Sequence, residues 1–178
     1  MSKSEFNQCA MLVENKEAMD KASNVYYNHS STTKATPTTV MLEMQNDLQA
    51  VYTAKHGRSL PPRELKTKGD LITFLKDQKE AFDDEFRELI EAVHGMSRPA
   101  NERSAGWKKW KSDYDKIRSE SINEGLTADD IVERDMEFVD MYHFFMNMQL
   151  ALQMSEQKLF VYYQLKNAEN HNRQTKGY

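Results

Sequence analysis

Between Asp129 and Leu152 the chain carries a row of polar side chains on a segment that otherwise reads as apolar, and this row narrows the folds open to it. Glu137, Asp140, His143 and Asn147 recur at spacings of three and four, which on an α-helix aligns them along one face. Ile131, Phe138, Val139, Tyr142, Phe145, Met146 and Leu150 are expected to cover most of the remaining circumference. An ionised carboxylate in apolar surroundings is costly without a partner, so the row calls for a cation or hydrogen-bond donors opposite it. Glu85 and Glu88, within AFDDEFRELIEAV, repeat the i,i+3 spacing on a second periodic segment. Glutamates three apart usually form a solvated face, but here four carboxylates can meet across a helix pair. Oxygen ligands with no cysteine among them suit Mg²⁺.

A chain of 178 residues fits one domain, expected to span residues 1–178. With 29% charged residues and a net charge of −4, no basic surface for direct nucleic-acid binding is expected. Cys9 is the only cysteine. It excludes an internal disulfide and a thiolate zinc site, and points to a reducing compartment, the cytoplasm being the simplest. Neither a leader pattern nor an apolar run of about 18 residues occurs, so no membrane association is expected.

Six glycines, four prolines and no clean alternation of apolar residues point to an all-α bundle of five or six helices. The first is expected from Glu5 to Tyr27, followed by the polar NHSSTTKAT. Thr36 then caps a helix with Pro37 at its first position, running to about His56. After GRSLPPREL, a helix from about Gly69 to His94 presents Leu71, Leu75, Phe82, Phe86, Leu89 and Val93 as its core stripe. A more polar helix is expected to contain WKKWK. Thr127-Ala-Asp-Asp130 reads as a capping box opening the carboxylate-bearing helix, and Ser155 opens the last one.

Other groups suit a phosphorylated ligand. Lys166, Asn170 and Arg173 fall at helical spacing and offer two cations and an amide to phosphate oxygens, although cations also gather at helix ends for dipole reasons. Trp107 and Lys111 in WKKWK can set an aromatic ring and an ammonium against a nucleotide, or form a packing edge. Gln45 and Gln49, one turn apart, can pair with a base edge or lie on a plain surface. His143 and Asn147 are equally readable as satisfied core polars. A carboxylate cluster with cations beside it is the chemistry of a nucleotide polyphosphate. A di-iron bundle would need two Glu-x-x-His pairs, and only Asp140-x-x-His143 comes close. A non-enzymatic helical interaction module, with the acids structural, is the other alternative.

The ordered motifs MLEMQNDLQ, DDEFRELIEAV, WKKWK, EFVDMYHFFMN and YYQLKNAENHNRQTKGY resemble the dimeric dUTPase family of the all-α NTP pyrophosphatases, from Val40 to the end. The family's ExxE and ExxD are met by Glu85-Phe-Arg-Glu88 and Glu137-Phe-Val-Asp140, and DDEFREL with WKKWK is closest to its phage members. The resemblance implies hydrolysis of dCTP and dUTP, with their diphosphates, at the α-phosphate. It implies Mg²⁺ held by Glu85, Glu88, Glu137 and Asp140, with Glu85 as the water-activating base. Phe144 would pack on the deoxyribose, supported by His143 and Asn147, and Gln45 would contact the pyrimidine. Lys111, Lys166, Asn170 and Arg173 would hold phosphates. Strict dUTPases usually carry asparagine where this chain has Gln49, so both cytosine and uracil are expected to fit, strict dUTP hydrolysis being the alternative. A homodimer, a host-cell location, a role in clearing dCTP for phage DNA with modified cytosine, and association with other phage nucleotide enzymes are further implications.

Overall fold

A computed structural model of the chain describes residues 36–57 and 60–176, together with isolated positions between 14 and 24. The expected first helix, Glu5 to Tyr27, Cys9 and most of NHSSTTKAT lie outside the described residues apart from those positions. All regular structure among the described residues is helical, as the glycine-poor, non-alternating sequence requires. No described helix is long and apolar enough to cross a membrane.

Helix α1 spans Pro37–His56. Thr36 is its N-cap, Pro37 sits in its first turn, and Gly57 closes it in the left-handed region at φ 63°. A short 3-10 turn, Pro62–Glu64, leads to α2, Lys68–Val93, which starts one residue before the sequence expectation. The reason is a capping box: Thr67 accepts from the Asp70 amide while Asp70 accepts from the Thr67 amide.

The chain then turns through α3, Ala100–Arg103, a 3-10 turn at Ser104–Gly106, and α4, Tyr114–Ser119. WKKWK, expected within a helix, is not helical. Residues 107–113 form turns, closed by Lys108 and Lys111 amides donating to the Ser104 and Lys108 carbonyls. Gly106 explains part of this path. Its backbone lies so close to buried His94 that a Cβ there would fall 1.9 Å from Nε2, so this turn is packed tightly against the end of α2.

Helix α5, Ala128–Ala151, begins at the capping box foreseen at Thr127 and Asp130. Helix α6, Glu156–Lys176, begins beyond Ser155, whose hydroxyl accepts from the Lys158 amide. The most extensive packing joins α2 to α5, and α1 crosses the same α5. Leu42, Met146 and Leu150 form the buried cluster where α1 meets α5, with Tyr142 against it.

Two stripes differ from expectation. On α2 the buried residues are Phe74 and Ala92, whereas Phe86 and Val93 are about half exposed. On α5, Phe138 is 60% exposed, with Val139 and Phe145 also on the surface. Both helices are therefore apolar on two faces, one packed within the chain and one open.

Candidate functional site

The α2–α5 pair brings the two carboxylate motifs together. Glu85 from α2 and Glu137 and Asp140 from α5 each offer an oxygen, and these oxygens lie within 4.8 Å of one another. Glu85 and Glu137 are half-buried, and Asp140 is exposed. Three carboxylates at that separation repel strongly and would be held together by a multivalent cation.

The electrostatics record the crowding. Burial, followed by the charges of Glu88, Glu85, Asp140 and Glu133, raises Glu137 from 4.5 to about 7. Burial and the charges of Glu88, Asp140 and Asp84 also raise Glu85. Glu88 is exposed and outside the tight trio, but it acts on both neighbours. Glu133, buried one turn before Glu137, extends the acidic row and went unnoticed in the sequence, although its i,i+4 spacing to Glu137 was visible.

Beside the trio opens a cavity of about 620 Å³, within the size range of small-molecule sites. It contains seven of the residues singled out from sequence: Gln45 and Gln49 of α1, Glu85 of α2, and Asp140, His143, Phe144 and Asn147 of α5. Phe74 and Tyr52 add aromatic surface to its wall. The cavity is therefore acidic where Glu85 and Asp140 border it and again at Asp77, and the rest of its wall mixes aromatic and aliphatic side chains with amides and an imidazole.

A chain of hydrogen bonds crosses this wall. His143 Nδ1 donates to Gln45 Oε1 at 2.5 Å, Gln45 Nε2 to Asn147 Oδ1 at 2.8 Å, and Asn147 Nδ2 to Gln78 Oε1 at 2.7 Å. Gln45 and Asn147 are 2% and 1% exposed. Burial without partners would be costly, and the chain removes that cost. The expected direct contact of Gln45 with a base is thus altered: both its polar atoms are engaged inside the protein. Gln78 was missed because it stands in the polar run KDQKE, where a glutamine reads as surface.

The remaining sequence candidates lie elsewhere. Lys111 donates to the Asn101 carbonyl at 3.0 Å, while the ring of Trp107 carries Lys108 Nζ at 4.5 Å from its centroid. Neither Trp107 nor Lys111 lines the cavity. Asn170 and Arg173 are exposed on α6 and do not line it either. Lys166 belongs to α6, but its side chain lies outside the described residues.

Fold and site define an all-helical protein whose carboxylate cluster, able to hold a cation, opens onto a nucleotide-sized cavity. Comparison with known proteins supplies the family. The chain is 40% identical over 173 residues to the dCTP pyrophosphatase of Enterobacteria phage T4, covering 97% of this chain and 98% of that protein. It is also 40% identical over 174 residues to the dCTP pyrophosphatase of Enterobacteria phage LZ5, with the same coverage of each. A third relative, a DNA replication protein of phage T4, is 40% identical over 162 residues, 91% of this chain but 40% of that protein. The chain belongs to the dCTP pyrophosphatase family of T-even phages. No family model and no solved structure matches it.

Proposed function

We propose that this single-domain protein is a Mg²⁺-dependent enzyme that hydrolyses dCTP, and also dUTP, at the α-phosphate, giving the nucleoside monophosphate and pyrophosphate. The observation that carries this reading is the Glu85–Glu137–Asp140 trio, two of whose members, Glu85 and Asp140, line a cavity that also presents aromatic rings and amides. The relatives named for the dCTP reaction support it.

Glu85, Glu137 and Asp140 would hold the metal, with Glu88 completing the acidic shell. Their donor set fits, since hard carboxylate oxygens are what Mg²⁺ takes. Once bound, Mg²⁺ supplies neutralisation of the polyphosphate and a bound water of lowered pKa.

The protein's own groups do the rest. Glu85 and Asp140 both border the trio and the cavity; Glu85, the more shielded of the two, is the carboxylate assigned to take a proton from the attacking water. Phe144 offers a ring against which a deoxyribose packs, leaving no partner for a 2′-hydroxyl. His143, Gln49 and Gln78 give the cavity its polar lining for a pyrimidine, with buried Asn147 supporting Gln78 from behind. Lys111, Lys166, Asn170 and Arg173 would hold phosphates, and Trp107 would meet a base or ribose, only if α6 or the WKKWK turn approaches a site.

Such an approach across a homodimer is consistent with the open apolar faces of α2 and α5, which carry Phe86, Phe138 and Phe145. The biological role that follows is removal of dCTP, and of dCDP, dUTP and dUDP, from the pool used for phage DNA replication, in the host cytoplasm beside other nucleotide enzymes.

The test is pyrophosphate release from dCTP, dUTP, dTTP and CTP. Cleavage of dCTP and dUTP alone supports both the base and the sugar assignments. Equal cleavage of CTP would remove Phe144 from its role, and cleavage of none would return the chain to the interaction-module reading.

A further inference from the structure

The hydrogen-bond chain His143–Gln45–Asn147–Gln78 has a property that none of its members has alone. As described, every donor points from His143 toward Gln78: each amide NH₂ serves the next carbonyl oxygen. Reversing the three amides together preserves every pair. Gln78 Nε2 would then donate to Asn147, Asn147 to Gln45, and Gln45 to His143 Nδ1, with the imidazole proton moved to Nε2.

The two polarities satisfy the same buried groups, and a mixed polarity would leave a donor facing a donor or an acceptor facing an acceptor. Gln45 and Asn147, almost without exposure, are held to one of these two states. Gln78 ends the chain and lines the cavity, and its second amide atom has no hydrogen-bond partner among the described residues. In one polarity that atom is the Nε2 donor. In the other it is the Oε1 acceptor.

Cytosine and uracil differ in the same binary way. At C4, cytosine carries an amino donor and uracil a carbonyl acceptor, while O2 is common to both. We infer that Gln78 reads the C4 substituent of the pyrimidine, and that the reversible polarity of the chain behind it lets one cavity accept both bases. Gln45 and Asn147 act through Gln78 as positioning residues. The inference rests on the pyrimidine-nucleotide reading of this cavity and adds the means by which its base selectivity is set.

Fixing the polarity should therefore fix the base. Glu at position 45 has no amide proton, so it accepts from Asn147, whose oxygen must then face Gln78 Nε2, leaving Gln78 Oε1 to the cavity. Glu at position 78 presents only acceptors directly. Both changes favour the amino group of cytosine.

The experiment is kcat/KM for dCTP and for dUTP with the full-length wild type, Gln45→Glu and Gln78→Glu. The ratio is the readout, because an added charge near the metal site acts on both substrates alike. The expected result is that the wild type cleaves both, and that each variant shifts the ratio toward dCTP by roughly tenfold or more, the usual effect of an unpaired polar group. Should Gln45→Glu fail to fold, Gln78→Glu, at a half-buried position, carries the test. An unchanged ratio, or a shift toward dUTP, overturns the inference. A wild type that cleaves dCTP alone overturns it too, while leaving the proposed function intact. A wild type that cleaves neither overturns both.

Discussion

A carboxylate oxygen of Glu85 on α2 lies within 4.8 Å of one from Glu137 on α5, with Asp140 completing the trio. Two helices separated by more than thirty residues are thus packed so that their acids oppose one another. Packing elsewhere must outweigh repulsion of this kind, and either a proton on Glu137 or a bound cation relieves it.

Glu137 has a folded-state pKa of about 7 against an ordinary 4.5, because burial and the neighbouring acids disfavour its charge. The fold therefore binds that proton more tightly than the unfolded chain does, so the metal-free protein loses stability as pH rises from 4.5 to 7. Glu85, raised for related reasons, adds in the same direction. Mg²⁺ binding requires the deprotonated form, so its affinity should rise across pH 6 to 8, roughly tenfold per unit below the Glu137 value. Calorimetric titration with Mg²⁺ at several pH values, alongside melting in EDTA, measures both slopes.

Glu137→Gln should separate stability from activity. Removing one charge from the trio relieves repulsion, so Tm in EDTA should rise and its fall with pH should flatten. Activity should drop by about two orders of magnitude or more, since the proposed metal site loses a ligand. A variant with lowered Tm in EDTA and normal turnover would contradict the assignment.

Glu85→Gln and Asp140→Asn should remain folded and lose activity by roughly 10²–10⁴-fold. Helical circular dichroism checks the first statement and steady-state kinetics the second.

Much of this site was legible because helical spacing converts directly into a face. Glu85-x-x-Glu88 and Glu137-x-x-Asp140 each had to form a row, and the helix boundaries at Thr36–Pro37 and Thr127–Asp130 followed from capping chemistry. What spacing cannot reveal is which of two apolar faces packs within the chain. Phe138 and Val139 read as core and stand exposed, because α5 is apolar on both sides and its packed face is set by α1 and α2. Gln78 and the burial of Gln45 were hidden for a related reason: a glutamine is polar wherever it stands, and only its partner 69 or 102 residues away decides whether it is surface or network. WKKWK misled through composition, since the close approach of Gly106 to His94 is a tertiary fact.

Asp130 should be the most sensitive polar residue outside the site. It is fully buried and accepts from the amide and hydroxyl of Thr127 and of Ser97, at 2.8–2.9 Å. Burial works to raise its pKa, but those hydrogen bonds outweigh it and hold the carboxyl below its usual value. Its stabilising contribution is present above the ordinary carboxylate range and is lost as pH falls through its lowered folded value. Asp130→Ala removes a capping box and orphans the Ser97 donors, at a cost of about 3 kcal/mol, measurable by denaturant unfolding.

Gly106→Ala should also destabilise, by about 1–3 kcal/mol, because its Cβ would displace the imidazole of buried His94. Thermal melting measures the loss, and an unchanged Tm would show that His94 moves aside without cost.

The central claim is metal-dependent attack at the α-phosphate by a site built on the α2–α5 acids. The most direct measurement is the product pattern from dCTP with Mg²⁺, with EDTA, and with Glu85→Gln. The account predicts dCMP and pyrophosphate with Mg²⁺, and neither product in EDTA or from the variant. Release of dCDP and phosphate, or cleavage that persists in EDTA, would contradict it.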